Sequence, residues 1–320
     1  MPQKIIIDTD PGVDDAMAIQ FALNSPELNV IGLTTVYGNV DLELCTTNAL
    51  RLLELADSTD IPVAKGAAKP LKRVFNGGVP FVHGEDGQGN TFRPKSELKE
   101  IDISAEDFII EQVKKYPNEI ILAPIGPLTN LAVALQKAPE IQQLVKEVVI
   151  MGGNAFCSGN ASPAAEANIL NDPEAADLVL GANWPLTMIG LDVTESTFMS
   201  HEEIIEVRNA SDSALNQFVS DAYVFYEAFY KSNNKIDGSF LHDSSVIAYL
   251  LDKTIFSGGF YPIRVETVDG LSLGKTWPFV GSQEALARPA LTPWQGRPTV
   301  NVMLKVDNER LVSLLKSRLK

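Results

Sequence analysis

Four aspartates fall within eight residues near the start of the chain, in Asp8-Thr9-Asp10-Pro11-Gly12-Val13-Asp14-Asp15. Like charges packed so closely repel one another, and a cation is the simplest thing that makes them tolerable. Ligands that are all oxygen favour a hard ion, calcium or magnesium, over zinc. An aspartate here could also only cap the helix that follows, but one cap uses one aspartate and leaves three unexplained. Histidine is the other residue type suited to proton transfer near neutral pH, and the chain has three: His83, His201 and His242, the last directly before Asp243. His201 stands beside Glu202 and Glu203 at a helix start and is given no catalytic role. Tyr226 and Tyr230 are four apart on a predicted helix and so share a face. Phe225 and Phe229 have the same spacing, which keeps core packing open as an alternative to ligand contact.

These residues need elements to position them. Lys4 to Asp8 is a β-branched run that ends in Gly and Pro chemistry, and the apolar pattern from Ala16 to Leu23 reads as a helix. The alternation returns as strand 29–36 with helix 42–56, strand 119–123 with helix 128–136, then strands 147–151 and 186–189. Repeated strand-helix units predict an α/β fold, an open and mostly parallel Rossmann-like sheet flanked by helices. Ligands in such sheets gather beyond the carboxyl ends of the strands. There the sequence carries the aspartates, Tyr37-Gly38-Asn39, Pro124 to Pro127 and Gly152-Gly153-Asn154. From about residue 200 helices prevail, at 215–230 and 246–251, before a strand at 299–306 and a closing helix at 309–319. Neither a Pro/Ser linker nor a charge run marks a boundary, so residues 1–320 are read as one domain.

Composition narrows the chemistry. With 26 Lys and Arg against 41 Asp and Glu, the net charge of -15 argues against a nucleic-acid polymer as partner. Cys45 and Cys157 lack metal or disulfide spacing and read as buried thiols. The start runs from Lys4 straight into Ile5-Ile6-Ile7, far short of a signal sequence, and no stretch approaches the ~20 apolar residues of a membrane span. A cytoplasmic protein without membrane contact is the expectation.

The string Asp8 to Ala16 resembles the N-terminal signature of the inosine-uridine nucleoside hydrolase family. Further matches follow in the family's order: Tyr37-Gly38-Asn39, His83-Gly84-Glu85-Asp86-Gly87, Gly126-Pro127-Leu128-Thr129-Asn130, Met151-Gly152-Gly153, Gly159-Asn160, Ala165-Glu166, Asn168, Asp172 to Ala176 and His242-Asp243. The resemblance implies calcium held by Asp10, Asp15, Asp243 and the backbone carbonyl of Ile125. It implies ribose bound by Asp14, Asn39, Asn160, Glu166, Asn168, Asp243 and the carbonyl of Met151. Cutting the N-glycosidic bond builds positive charge on the sugar, which a ring of carboxylates stabilises. Asp10 is then implied as general base toward a water acidified by the metal, and His242 as general acid toward the departing base. His83, on a glycine-rich loop read as mobile, and Tyr226, Tyr230 and His242 are implied to contact that base. Inosine, uridine or cytidine are the expected substrates, and a homodimer or homotetramer the expected assembly.

Three departures from the family pattern bear on base preference. Ala167 stands where an aromatic residue is common, Ser244 where proline is usual, and Gln88 where the loop is usually apolar. Two other readings stay open: a nucleoside-binding protein that does not turn over, and a haloacid-dehalogenase-type phosphatase, whose DxD start Asp8 and Asp10 also resemble.

Overall fold

The computed structural model describes residues 2–319. Among them eleven strands occur: β1 Gln3–Thr9, β2 Leu28–Thr35, β3 Val63–Lys65, β4 Ile120–Pro124, β5 Glu147–Met151, β6 Leu186–Ile189, β7 Phe198–Ser200, β8 Gly238–Phe240, β9 Phe256–Val265, β10 Thr276–Pro278 and β11 Thr299–Val306. Nine form one sheet in the order β10-β9-β11-β6-β5-β4-β1-β2-β3, and β7 and β8 form a separate antiparallel ribbon. From β11 to β3 the pairing is parallel, and only β9, between β11 and the edge strand β10, pairs antiparallel with its neighbours.

The apolar run of β1 has a direct cause. Ile5 and Ile7 enter one core and Ile6 the other, so both faces of the strand are covered by helices and neither needs a polar residue. On one side pack the helices Val13–Leu23, Ala214–Asn233 and Ser244–Leu251, whose Met17, Phe218 and Val246 join the core of Ile5. On the other lie Ala105–Lys115, Thr129–Lys137 and Pro173–Leu180. No helix among the described residues is long and apolar enough to cross a membrane.

The predicted parallel strands and their helices occur where expected. The three-residue β3, the Ala105–Lys115 helix and the β9–β10 edge were not expected from sequence. β9 carries Gly258, Gly259 and Pro262, which weaken a strand signature, and much of its length is exposed.

The strand order sets the position of the site. The chain proceeds from β1 outward to β2 and β3, then returns to β4 on the other side of β1 and moves away through β5 and β6. Adjacent strands β1 and β4 therefore lead to opposite sides at their carboxyl ends, and a crevice opens there.

Candidate active site

Asp8 pairs with Pro124 in the β1–β4 register, so Asp10 and Gly126 leave the sheet side by side. The Asp10 carboxylate sits between two glycines. A Cβ on Gly38 would stand 2.0 Å from Asp10 Oδ2, and one on Gly126 2.4 Å from Oδ1. The Asn39 N–H donates to Oδ2 at 2.7 Å, while Oδ1 is buried without a hydrogen-bond partner.

Asp14 and Asp15 occupy the first turn of the Val13–Leu23 helix, whose amino end favours negative charge. Asp15 Oδ2 accepts from the Gly12 N–H at 2.9 Å and from Asn39 Nδ2 at 3.0 Å, and Oδ1 accepts from Thr9 Oγ1 at 2.5 Å. Asp15 thus caps its helix as well as facing the crevice. Asp243 precedes the Ser244–Leu251 helix, yet its carboxylate makes no capping bond. Ser244, in the place of the usual proline, is buried at the first position of that helix.

Carboxylate oxygens of Asp14, Asp15 and Asp243 lie within 4.8 Å of one another, close enough to share one ion. This trio brings in Asp14, a residue that the resemblance implies for ribose, and leaves Asp10 beside it. Asp10, Asp14, Asp15 and Asp243 are all buried, and among the described residues none is ion-paired with a lysine or arginine. Desolvation is the largest cause raising the pKa of each, with neighbouring carboxylates adding to it for Asp10, Asp15 and Asp243. Asp14 Oδ1, like Asp10 Oδ1, is buried and unpartnered. Buried carboxylates of one sign with orphaned oxygens fit a divalent cation, which would supply the missing positive charge. The Ile125 carbonyl lies at the same rim, where Asn168 Nδ2 donates to it at 2.8 Å.

Asp8 plays a different part. Its Oδ1 accepts from Thr34 Oγ1 and, at 2.7 Å, from Asn130 Nδ2, so it ties β1 to β2 and to the Thr129–Lys137 helix beneath the crevice. Burial pushes its pKa up to about 7.

The residues implied for ribose lie around this cluster with unequal freedom. Asn168 Nδ2 also reaches the Met151 carbonyl at 3.3 Å. Glu166 is the N-cap of the short Ala167–Asn171 helix, and its oxygens accept from the backbone N–H groups of Gly153, Asn168 and Ile169. Asn160 is exposed on its loop, where Oδ1 accepts from the Ala167 N–H at 3.1 Å. Asn39 bridges Asp10 and Asp15.

On the far wall, the 20-residue Ala214–Asn233 helix turns Tyr226 and Tyr230 inward. Tyr226 donates to Asp14 Oδ2 at 3.0 Å, its oxygen lies 3.2 Å from the Tyr230 hydroxyl, and that hydroxyl lies 3.0 Å from His242 Nε2. His242 Nδ1 meets Thr194 Oγ1 at 2.9 Å. Tyr226 and Tyr230 therefore do more than pack: they join the acidic cluster to the histidine. Burial lowers the His242 pKa to about 4, with His83 adding in the same direction.

The glycine-rich loop is packed against the cluster, with a short helix at Pro80–His83. His83 stacks on Tyr226 at 5.5 Å, and its Nδ1 accepts from the Val13 N–H at 3.2 Å. The 3.8 Å approach of that nitrogen to Asp14 Oδ1 is not an ion pair, because desolvation pushes the ring's pKa down to about 4. Gln88 has a use that its departure from an apolar residue explains: Nε2 donates to the carbonyls of Pro11 and Gly12 at 2.9 and 2.8 Å and ties the loop to the aspartates. Thr9, Gln88 and Thr194 belong to the site's hydrogen bonding without having been singled out as site residues; for Thr194 the sequence carries no signal at all. His201 is remote in role, exposed and paired with Glu227 at 2.9 Å.

Comparison with known proteins identifies the family of the chain. The model of the inosine-uridine preferring nucleoside hydrolase family matches residues 5–313. The chain belongs to that family. Among curated relatives, uridine nucleosidase 1 of Arabidopsis thaliana is 38% identical, the match covering 99% of this chain and 93% of the relative. The inosine-uridine preferring nucleoside hydrolase of Crithidia fasciculata is 37% identical, covering 86% and 87%. Among solved structures, a plant nucleoside hydrolase superposes with a TM-score of 0.93 at 40% identity, covering 100% of this chain and 99% of the other. A purine-preferring ribonucleoside hydrolase from Gardnerella vaginalis gives 0.88 at 36% identity, covering 99% and 98%. The protein is a nucleoside hydrolase, an N-glycosyl hydrolase of ribonucleosides, and the acidic trio gives this metal-dependent family's ion a place to bind.

Proposed function

We propose that the chain is a calcium-dependent hydrolase that splits uridine, inosine or cytidine into ribose and free base. The observation that carries this reading is the unbroken line of contacts from Asp14 through Tyr226 and Tyr230 to His242, which links a carboxylate cluster to an imidazole ring. Asp10, Asp15, Asp243 and the Ile125 carbonyl would hold the ion, with Asp14 close enough to join them. Oxygen ligands alone suit calcium. When bound, the cation supplies charge that acidifies water and anchors ribose hydroxyls.

The chain's own residues account for the rest. Asp10, whose Oδ1 has no protein partner, is the base that removes a proton from the attacking water. Asp14, Asn39, Asn160, Glu166, Asn168, Asp243 and the Met151 carbonyl hold the ribose, so that the developing positive charge at C1′ forms among buried carboxylates. His242 gives a proton or hydrogen bond from Nε2 to the departing base, beside which His83, Tyr226 and Tyr230 pack. Gln88 and its loop exclude bulk water from the cluster.

Ribose release from uridine, inosine, cytidine, adenosine and guanosine, with and without a calcium chelator, tests the proposal. Release that stops on chelation and returns with calcium is expected. Binding of nucleoside without ribose release would favour the non-catalytic reading, and restoration by magnesium but not calcium would overturn the metal assignment. We also propose a cytoplasmic homodimer or homotetramer, which light scattering would check through its mass.

A further inference from the structure

We propose that Thr194 is a positioning residue that fixes the proton of the neutral His242 ring on Nε2, the nitrogen directed at Tyr230 and, on the reading above, at the departing base. Thr194 closes the helical turn Leu191–Thr194 that follows β6 at the carboxyl edge of the sheet, and its side chain is fully buried. Among the described residues its hydroxyl has one hydrogen-bond partner, His242 Nδ1 at 2.9 Å. Other buried threonines place their hydroxyl proton on an oxygen acceptor, as Thr46 does on the Leu42 carbonyl, Thr197 on that of Thr194 itself, and Thr129 on the Asp172 carboxylate. Thr194 makes no such bond, so its proton is satisfied only if Oγ1 donates and Nδ1 accepts. A neutral imidazole that accepts at Nδ1 carries its proton on Nε2.

The opposite end of the line gives the same answer independently. Each phenol has one proton. Tyr226 spends its own on Asp14 Oδ2, so in the 3.2 Å contact between the phenols Tyr230 must be the donor. Tyr230 then has no proton left for His242, and the 3.0 Å contact between them needs the proton on Nε2. With the other tautomer, one contact would lie between two lone pairs and the Thr194 proton would be buried without an acceptor, and leaving buried polar groups unsatisfied is costly. Proton count and geometry thus set one direction for the whole line: Thr194 to His242, His242 to Tyr230, Tyr230 to Tyr226, Tyr226 to Asp14.

The inference rests on His242 as the residue that assists base departure, and the test separates the two. In protein labelled with ¹⁵N in its three histidines, long-range ¹H–¹⁵N couplings read the tautomer of each ring, with a His242→Gln variant assigning the signal. The expected result is a proton on Nε2 of His242; a proton on Nδ1 overturns the proposal whatever the activity data say. Thr194→Val should lose the single-tautomer signature and lower kcat for uridine by about 10- to 100-fold with little change in KM. The same variant should act normally on 4-nitrophenyl β-ribofuranoside, whose phenolate leaves unaided, and Thr194→Ser should restore uridine turnover. If Thr194→Val slows both substrates alike, the residue is merely structural and the proposal falls. If the valine variant does not fold, the wild-type tautomer and the serine variant still decide. Should His242→Gln leave uridine turnover unchanged, the acid role fails, while the tautomer measurement still judges Thr194.

Discussion

The Tyr226 hydroxyl donates to the Asp14 carboxylate at 3.0 Å across 212 residues of sequence. This bond joins the helix that covers the crevice to the helix that starts at its floor, and it is the first step of the line that ends at His242. Tyr226→Phe removes the donor and leaves a buried carboxylate oxygen unpaired. In chelated protein the variant should lose about 1–3 kcal/mol in denaturant unfolding. It should also lose roughly tenfold in kcat/KM for uridine, as expected for a partial loss of acid catalysis. Unchanged stability together with unchanged turnover would remove Tyr226 from the site.

Gly38 presents a steric prediction. A Cβ there would stand 2.0 Å from Asp10 Oδ2 and 2.8 Å from its Cγ, and the carboxylate is already enclosed on its other side by Gly126. Gly38→Ala must therefore push the base out of position. The expected loss in kcat is about 100-fold or more, because a misplacement near 1 Å is enough for that. Circular dichroism should report a native fold.

Asp10→Ala should abolish ribose release within detection while the fold persists. Its carboxylate is buried beside Asp15 and Asp14, and both raise its pKa in addition to desolvation. Removing it should leave the thermal midpoint of the metal-free protein equal or higher. Substantial residual turnover would sink Asp10 as the base. His201→Ala serves as the control: this ring is exposed and, among the described residues, ion-paired with Glu227 alone, and turnover should not change.

The aspartates also predict how pH and metal interact. Burial raises the carboxyls of Asp14 and Asp15 and pushes Asp8 up to about 7 from the usual 3.8. A carboxyl raised on folding holds its proton more tightly in the folded state, so its contribution to stability is complete below pH 3.8 and is lost as pH rises toward 7. The chelated protein should therefore lose thermal stability between pH 5 and about 8, and added calcium should raise Tm more at about pH 8 than at pH 5, since its ligands must be deprotonated. An equal calcium shift at both pH values would argue against these carboxylates as ligands.

Much of this protein was legible in its sequence. The short apolar runs at 4–8, 29–36, 119–123, 147–151 and 186–189 read as buried strands, and their alternation with amphipathic helices argued for a mostly parallel sheet. The aspartate string and the motifs that follow it led to the family, because local spacing is what a motif preserves. Period and spacing could not reveal β3, too short to carry a pattern, or β9, whose glycines and proline mask an edge strand.

The site's connections were decided by tertiary structure alone. Asp14 joins Asp15 and Asp243 because the helices at Val13 and Ser244 both begin at the crevice beyond β1 and β4. Glu166 and Asp15 turn out to cap helices while facing the site. Gln88, which breaks an apolar pattern, donates to two backbone carbonyls beside the aspartates. Thr194 meets His242 across 48 residues of chain. A sequence fixes which groups can donate or accept, but the direction of a buried hydrogen-bond line depends on how many protons meet how many acceptors, and only the folded packing brings that count together.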